Sequence, residues 1–223
     1  MKIIKIDYKN PDQNVLKKVA NIIDKGGITI VPGDAVYTIV GDPFDKKAFE
    51  KVIKLKKGRN KNKAFNLGLY SIEDIKKWGE FNPLIYKIQK KFPNAFFAFA
   101  VPKKKNLFPP YFNPKFKTVA FRIPFNKVTS TLSKFHRKPV IGTSANISEL
   151  PDAHSLEELL DYFRGMFGKD FQPDLILDAG RLPNRKPSTV IEINKDHIKI
   201  LRGGDIPEEK LREEIEKIKN EFL

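Results

Sequence analysis

Short apolar runs of strand length alternate along this chain with amphipathic stretches at helical spacing, and that alternation predicts an α/β layer architecture. Two features of the whole chain agree. At 223 residues, 40% of them apolar and eighteen of them Phe, it can bury a sizeable core and lacks the composition of a disordered chain. No internal repeat or low-complexity linker divides it, so one domain over residues 1–223 is expected, with no second domain.

Taken in order, Ile3–Ile6 reads as a strand. Val15, Leu16, Val19, Ile22 and Ile23 recur at helical spacing until Gly26-Gly27 stops the helix. Ile28–Val31 is the next strand. Phe49, Val52, Ile53 and Leu55 mark a second helix, with Lys46, Lys47, Lys51 and Lys54 on its wet side. Phe65–Leu69 is a strand, and Ser71-Ile-Glu-Asp74 has the form of a capping box opening a third helix. Pro83 suits the first turn of a fourth. Strands at Phe96–Val101 and Thr118–Ile123 flank the Pro-rich segment Lys103–Lys117, expected as a surface loop. After the short strand Val140–Gly142, Ser155 with Glu158 offers another capping box ahead of Leu159 and Phe163. Leu175–Leu177, Ser188–Ile193 and Ile198–Leu201 are the remaining strands. A last helix, over residues 207–222, starts at Pro207-Glu208-Glu209, whose acids suit the helix dipole, and runs on Leu211, Ile215 and Ile218.

Composition removes several chemistries. There is no Cys, so disulfides, thiolate nucleophiles and Cys-bound metals are excluded. His136, His154 and His197 are scattered; they read as surface or loop residues, and no metal held by protein side chains is expected. No run approaches the roughly 20 apolar residues of a membrane span. Met1-Lys-Ile-Ile-Lys-Ile6 lacks the apolar core of a signal peptide, so a cytoplasmic protein without a membrane partner is expected. Forty-two basic against twenty-seven acidic residues leave a net charge of +15. Such a field draws nucleotides and nucleic acids, but a Lys-rich solvated surface of a heat-adapted protein has the same origin. Charge alone leaves both open.

Local segments are more informative. Lys56-Lys-Gly-Arg-Asn-Lys-Asn-Lys63 joins a helix to a strand and carries five positive side chains, of which Lys57 and Arg59 could converge on one phosphate. Gly142-Thr-Ser-Ala-Asn-Ile-Ser148 places small hydroxyl and amide residues just past a strand's carboxyl end, where open α/β sheets bind ligands; the same residues could instead cap a following helix. Lys186-Pro-Ser-Thr-Val190 sets hydroxyls at a strand start, and Ile200-Leu-Arg-Gly-Gly204 sets an Arg at a strand end. In Lys103–Lys117, Phe108, Tyr111, Phe112 and Phe116 could stack on bases of single-stranded RNA or fold back on the core. Neither a P-loop nor a GxGxxG motif is present.

In order and spacing, Val31-Pro-Gly-Asp-Ala-Val-Tyr37, Lys57-Gly-Arg59, Ala120-Phe-Arg-Ile-Pro124, Gly142–Ser148, Pro187-Ser-Thr-Val190 and Ile200–Gly204 resemble the YrdC/Sua5/YciO family from about Pro32 to Ile206. The resemblance implies a twisted, open, mixed sheet flanked by helices, with a concave basic surface. It implies synthesis of threonylcarbamoyl-AMP and pyrophosphate from L-threonine, bicarbonate and ATP, with Mg²⁺ on the phosphates. That product feeds the t6A modification of tRNA, with t6A-forming proteins as partners and tRNA or double-stranded RNA as a ligand. By that likeness Lys57, Arg59, Ser144, Asn146 and Arg202 hold ATP. Tyr37, Arg122, Gly142, Thr143 and Ser188 lie at the threonine end, and no side chain acts as a nucleophile. An alternative within the family is a YciO-like paralogue that binds nucleotide or RNA without synthase activity, or an enzyme on another small substrate.

The chain departs from the family's pattern at definite places. The first motif is usually Pro-Thr-(Asp/Glu)-Thr-Val-Tyr-Gly; here Gly33 and Ala35 replace both threonines and Thr38 replaces the last glycine. Ala64-Phe65 stands for a usual Pro-Leu, Gly68 for a frequent His, and Pro93-Asn-Ala-Phe-Phe97 for Pro-Gly-Pro-x-Thr.

Overall fold

The structure is a computed structural model that describes residues 2–57, 63–164, 172–195 and 197–221. Its elements in chain order are β1 (Lys2–Lys5), α1 (Gln13–Asp24), β2 (Thr29–Pro32), β3 (Tyr37–Gly41), α2 (Lys46–Leu55), β4 (Asn66–Gly68), α3 (Ile75–Trp78), α4 (Leu84–Lys91), β5 (Phe97–Pro102), β6 (Thr118–Arg122), α5 (Lys127–His136), β7 (Val140–Ser144), α6 (Leu156–Tyr162), β8 (Leu175–Asp178), β9 (Thr189–Asn194), β10 (His197–Arg202) and α7 (Glu208–Asn220). The strands form one 10-stranded open sheet in the order β1-β8-β2-β3-β7-β4-β6-β5-β9-β10. Pairs β1/β8, β2/β8, β4/β6 and β5/β9 are parallel and the other pairs antiparallel, so the sheet is mixed, as expected.

Alternation along each strand sends neighbouring residues to opposite faces. Ile30, Ile39, Phe97, Phe99, Phe121, Ile141 and Ile191 point to one face, which α2, α4, α6 and α7 cover through Phe49, Val52, Ile85, Ile88, Leu159, Leu211 and Ile215. Val31, Val40, Val140, Leu175 and Leu177 point to the other, against Leu16, Val19 and Ile23 of α1 and Val128 and Leu132 of α5. That second face is covered over only part of its width. Across β6, β5 and β9 its floor is Ala98, Ala100, Ala120 and Val190, side chains too short to fill the space above them. The uncovered part is the cleft described below. Among the described residues no helix is long and apolar enough to cross a membrane.

Every strand expected from the sequence is present within a residue or two. Two elements lay outside the expectation. In β3 every residue is buried, and its aliphatic run is only Ile39 and Val40 between Thr38 and Gly41, too short to read as a strand. In α5 the buried face carries Thr129, Ser133 and His136 beside Val128 and Leu132, which dilutes the apolar stripe; Asn126 caps it, accepting from the Thr129 N–H at 2.9 Å. Ser71–Asp74 forms a turn, and α3 is one turn long with no side-chain cap. Ser155 does cap α6, accepting from the Glu158 N–H. At the end of α1, Gly26 adopts φ 74°, the left-handed conformation that costs glycine nothing.

One expectation about the histidines is corrected. His136 is neither surface nor loop: its ring is fully buried at the end of α5, with Nδ1 2.6 Å from Asp24 Oδ1 and Nε2 3.4 Å from Asp42 Oδ2. It ties α5 to the end of α1 and to the residue after β3. His197 is exposed, and His154 is half-buried in the bend before α6. Among the described residues no group of His, Asp and Glu could hold a metal ion.

The aromatics of Lys103–Lys117 mostly fold back on the core. Phe112 is buried, Phe108 stacks on Phe112 and Phe44, and Tyr111 packs on Phe49 while its hydroxyl donates to the Phe44 carbonyl at 2.9 Å. Only Phe116 of the four reaches the cleft.

Candidate functional site

The cleft has a volume of about 860 Å³, and its walls come from strand ends that the mixed topology brings side by side. The register sets Arg202 opposite Val190, Val190 opposite Ala98, and Ala98 opposite Arg122. The two arginines therefore stand in one row, three strand spacings or roughly 14 Å apart at the backbone. Only Val190 and Ala98 lie between them, so both guanidiniums reach over the floor. Arg202 Nε and Nη2 donate to the Ser188 carbonyl at 3.0 and 2.8 Å, and Nη2 also donates to Ser188 Oγ at 3.0 Å. Desolvation and then the like charge of Arg122 hold Arg202 below the ordinary arginine value, with Asp152 opposing them. Two like charges held in one concavity make an anion site.

The second wall is the segment after β7. Gly142, Thr143, Ser144, Asn146 and Ser148 all line the cleft. Its shape is fixed by Lys56, the last residue of the turn closing α2. Lys56 Nζ donates to the Ser144 carbonyl at 2.9 Å and to Asn146 Oδ1, which also accepts from Ser144 Oγ at 2.8 Å. Asn146 Nδ2 donates onward to the Leu150 carbonyl, and Ser148 Oγ donates to the Lys56 carbonyl at 2.7 Å. Hydroxyls, an amide and a buried ammonium thus face one space, a set suited to phosphate oxygens.

The structure differs from the sequence-based assignments at two positions. Lys57 is exposed and does not line the cleft; Lys56, 3% exposed, does. The helical period carries the signal, because Lys56 follows Phe49 by seven residues and Val52 by four, on the face that packs inward. Tyr37 does not line the cleft either. Its ring is buried on the covered face, and its hydroxyl donates to the Gly180 carbonyl at 2.8 Å and accepts from the Ala179 N–H at 3.0 Å. Burial, reinforced by Asp178 and opposed by that N–H, raises its phenol well above the ordinary value. Tyr37 instead positions the site through its backbone, since the Ala145 N–H donates to its carbonyl at 2.7 Å. Arg59 lies outside the described residues. Ser144, Asn146, Arg202, Arg122, Gly142, Thr143 and Ser188 all line the one cleft.

Further residues complete the site. Asp34, in the turn between β2 and β3, is buried and lines the cleft. Its Oδ1 accepts from both the backbone N–H and the side-chain amide of Asn126, at 2.8 and 2.7 Å. Thr38, Lys63, Phe116 and Arg185 also face the cleft, Arg185 with its guanidinium 5.0 Å from the Phe96 ring centroid.

The chain is similar to known proteins of one family. A family model for the Sua5/YciO/YrdC domain, described as "Telomere recombination", matches residues 21–204. The threonylcarbamoyl-AMP synthase of Buchnera aphidicola (subsp. Acyrthosiphon pisum) is 33% identical over 167 residues, covering 73% of this chain and 89% of the relative. Among solved structures, Pyrococcus abyssi Sua5 complexed with L-threonine superposes with a TM-score of 0.79 at 24% identity, over 98% of this chain but 61% of that one. Escherichia coli YciO gives 0.78 at 23% identity, over 93% of this chain and 98% of that one. The structural likenesses are likenesses of fold.

Proposed function

The chain belongs to the Sua5/YciO/YrdC family, and on that premise we propose that its cleft binds ATP and joins its AMP part to a small carbamate, in the manner of a threonylcarbamoyl-AMP synthase. One observation carries the reading: the hydroxyls, amide and ammonium of Ser144, Ser148, Asn146 and Lys56 face Arg202 and Ser188 across a floor of alanines. A flat base fits on short side chains, and the polar wall suits a triphosphate.

The chemistry asks for alignment and charge rather than a nucleophilic side chain. An amine and bicarbonate condense to a carbamate with loss of water. A carbamate oxygen then attacks the α-phosphorus, the bond to the β-phosphate breaks, and pyrophosphate leaves. Arg122, Arg202 and Lys56 stabilise the charge that builds on the phosphate oxygens and the carboxylate. Mg²⁺ would arrive on the triphosphate, as the resemblance implies. L-Threonine, bicarbonate, tRNA as the downstream acceptor and a cytoplasmic setting belong to this reading.

A second reading is a YciO-like protein that binds nucleotide or RNA without making the adenylate. It is favoured by the match in length to E. coli YciO and by Gly33, Ala35 and Gly68, which offer a substrate no side-chain hydroxyl or imidazole.

Pyrophosphate release from ATP and bicarbonate, with and without L-threonine, separates the readings. Threonine-dependent release supports the synthase. Release independent of threonine points to another substrate. ATP binding without release leaves the binding protein.

A further inference from the structure

Arg185 stands on an aromatic platform at the edge of the cleft. Its guanidinium lies over the Phe96 ring, 5.0 Å from the centroid, and Phe96 is itself packed edge-on by Phe125 at 4.9 Å. The Phe96 carbonyl accepts from the Thr189 N–H at 2.8 Å, which ties the platform to the start of β9. A guanidinium held by a ring face keeps its N–H donors available to a ligand.

Strand alternation puts Phe96 on the same face as Ala98, and Ala98 pairs with Arg122. Phe96 and Arg122 are therefore diagonal neighbours, about 8 Å apart at the backbone. Arg122 and Arg185 both line the cleft. Tyr8 lies among the same groups: burial and then Asp34 raise its phenol, while Arg185 and then Arg122 lower it.

The protein neutralises neither cation. Among the described residues the arginines in ion pairs are Arg164, Arg181 and Arg212, none of which lines the cleft; Arg122 and Arg185 have no such partner. Asp34 is held by Asn126 rather than by either arginine. Two like charges kept side by side repel, and a ligand with two negative groups relieves that repulsion.

Resting on the reading of the cleft as a nucleotide and small-substrate site, we propose that its small substrate carries two anionic groups, one for Arg122 and one for Arg185. Arg185 is then a specificity-determining residue. Its forked donors suit a second carboxylate or a phosphate ester, and a substrate with a single carboxylate leaves it unmatched.

Matched pairs isolate the second charge. The full chain is titrated calorimetrically, in bicarbonate-free buffer at neutral pH, with L-aspartate against L-asparagine, L-glutamate against L-glutamine, and O-phospho-L-serine against L-serine. At least one dianionic member should bind about tenfold or more tightly than its partner, and which one does so separates the dicarboxylate from the phosphate ester. Arg185→Gln should lower affinity for that ligand about tenfold and abolish the preference, while ATP affinity, titrated in parallel, is retained. Arg185 is exposed on a loop, so the variant should fold. Arg181→Gln removes the same charge four positions away and outside the cleft; it should keep the preference, which distinguishes a site from the field of the +15 charge.

Equal binding within every pair, a preference that survives Arg185→Gln, or one lost equally in Arg181→Gln overturns the inference. Failure of every dianionic ligand to bind does so too, whether or not ATP binds. L-Threonine binding that appears only on adding bicarbonate and is lost in Arg185→Gln overturns it as well, and assigns Arg185 to the carbamate. Dianion binding with the expected preference but without ATP binding would overturn the nucleotide reading and leave this one standing.

Discussion

The hydroxyl of Thr38 occupies the space that a side chain on residue 33 would need. A Cβ on Gly33 would lie 2.4 Å from Thr38 Oγ1 and 2.5 Å from the Val36 carbonyl oxygen. The family's usual threonine and glycine at these two positions are thus exchanged, and the exchange is sterically coupled. Thr38 Oγ1 donates to the Val36 carbonyl at 3.2 Å and lines the cleft close to Gly142 and Arg122.

Gly33→Ala should therefore destabilise the fold by about 1–3 kcal/mol, the usual cost of overpacking. Thr38→Ala in the same chain should recover part of that loss, because the Val36 carbonyl remains in the way. Urea unfolding of the two single variants and the double variant measures the coupling. Strict additivity would remove the claim that these residues compete for one space.

Neighbouring lysines should behave oppositely. Lys56→Met leaves the Ser144 carbonyl and Asn146 without their ammonium and should cost about 1–3 kcal/mol of stability. It should also weaken ATP binding at least about tenfold. Lys57→Ala, on an exposed side chain, should change stability by less than about 0.5 kcal/mol. Thermal unfolding and calorimetric ATP titration on both variants check the pair.

The His136 cluster predicts an acid limb of stability. Burial pushes the Asp42 carboxyl up, but the His136 ring, the Phe44 N–H and Lys138 outweigh it and hold it below the ordinary carboxylate value. A carboxylate depressed in the folded state contributes stability that is complete above its unfolded pKa and is lost as pH falls through the folded one. The loss attributable to Asp42 should therefore begin near pH 4 and deepen below it. Asp42→Asn should be less stable at neutral pH, and its deficit should shrink as the pH drops below that point. Urea midpoints across that range give the answer, and a deficit independent of pH would count against the assignment.

The aromatic loop should matter for stability rather than for stacking. Phe112→Ala should cost about 3–5 kcal/mol, as for a large core side chain. Phe116→Ala should cost far less. If tRNA binds through the +15 charge, its affinity should fall steeply with salt, by about a thousandfold between low and physiological salt for six phosphates neutralised. That dependence should be the same in Phe112→Ala provided the variant is folded at the assay temperature.

Elements whose residues are half in water and half in the core were legible in the sequence, because alternation and helical spacing record which side is wet. In this way β9 and β10, whose burial alternates, and the cap at Ser155 were legible, while β2, β5 and β8, buried on nearly every residue, were legible as short continuous apolar runs. Where the apolar run is cut short, as in β3 with only Ile39 and Val40 between Thr38 and Gly41, or where buried positions are polar, as in α5, the local pattern carries no such record. The motifs also picked out seven residues that line the cleft, Arg122, Gly142, Thr143, Ser144, Asn146, Ser188 and Arg202, but not the placement of Lys57 and Tyr37. Lys56 rather than Lys57 faces the cleft because α2 turns that position inward, and Tyr37 faces away because its strand alternates. Asp34 became a site residue only through Asn126, 92 positions along the chain, which occupies one carboxylate oxygen and leaves the other. Local sequence determined the layers and the loops that carry polar groups. Tertiary structure decided which of those groups share a space, because that depends on strand order and register between residues far apart in the chain.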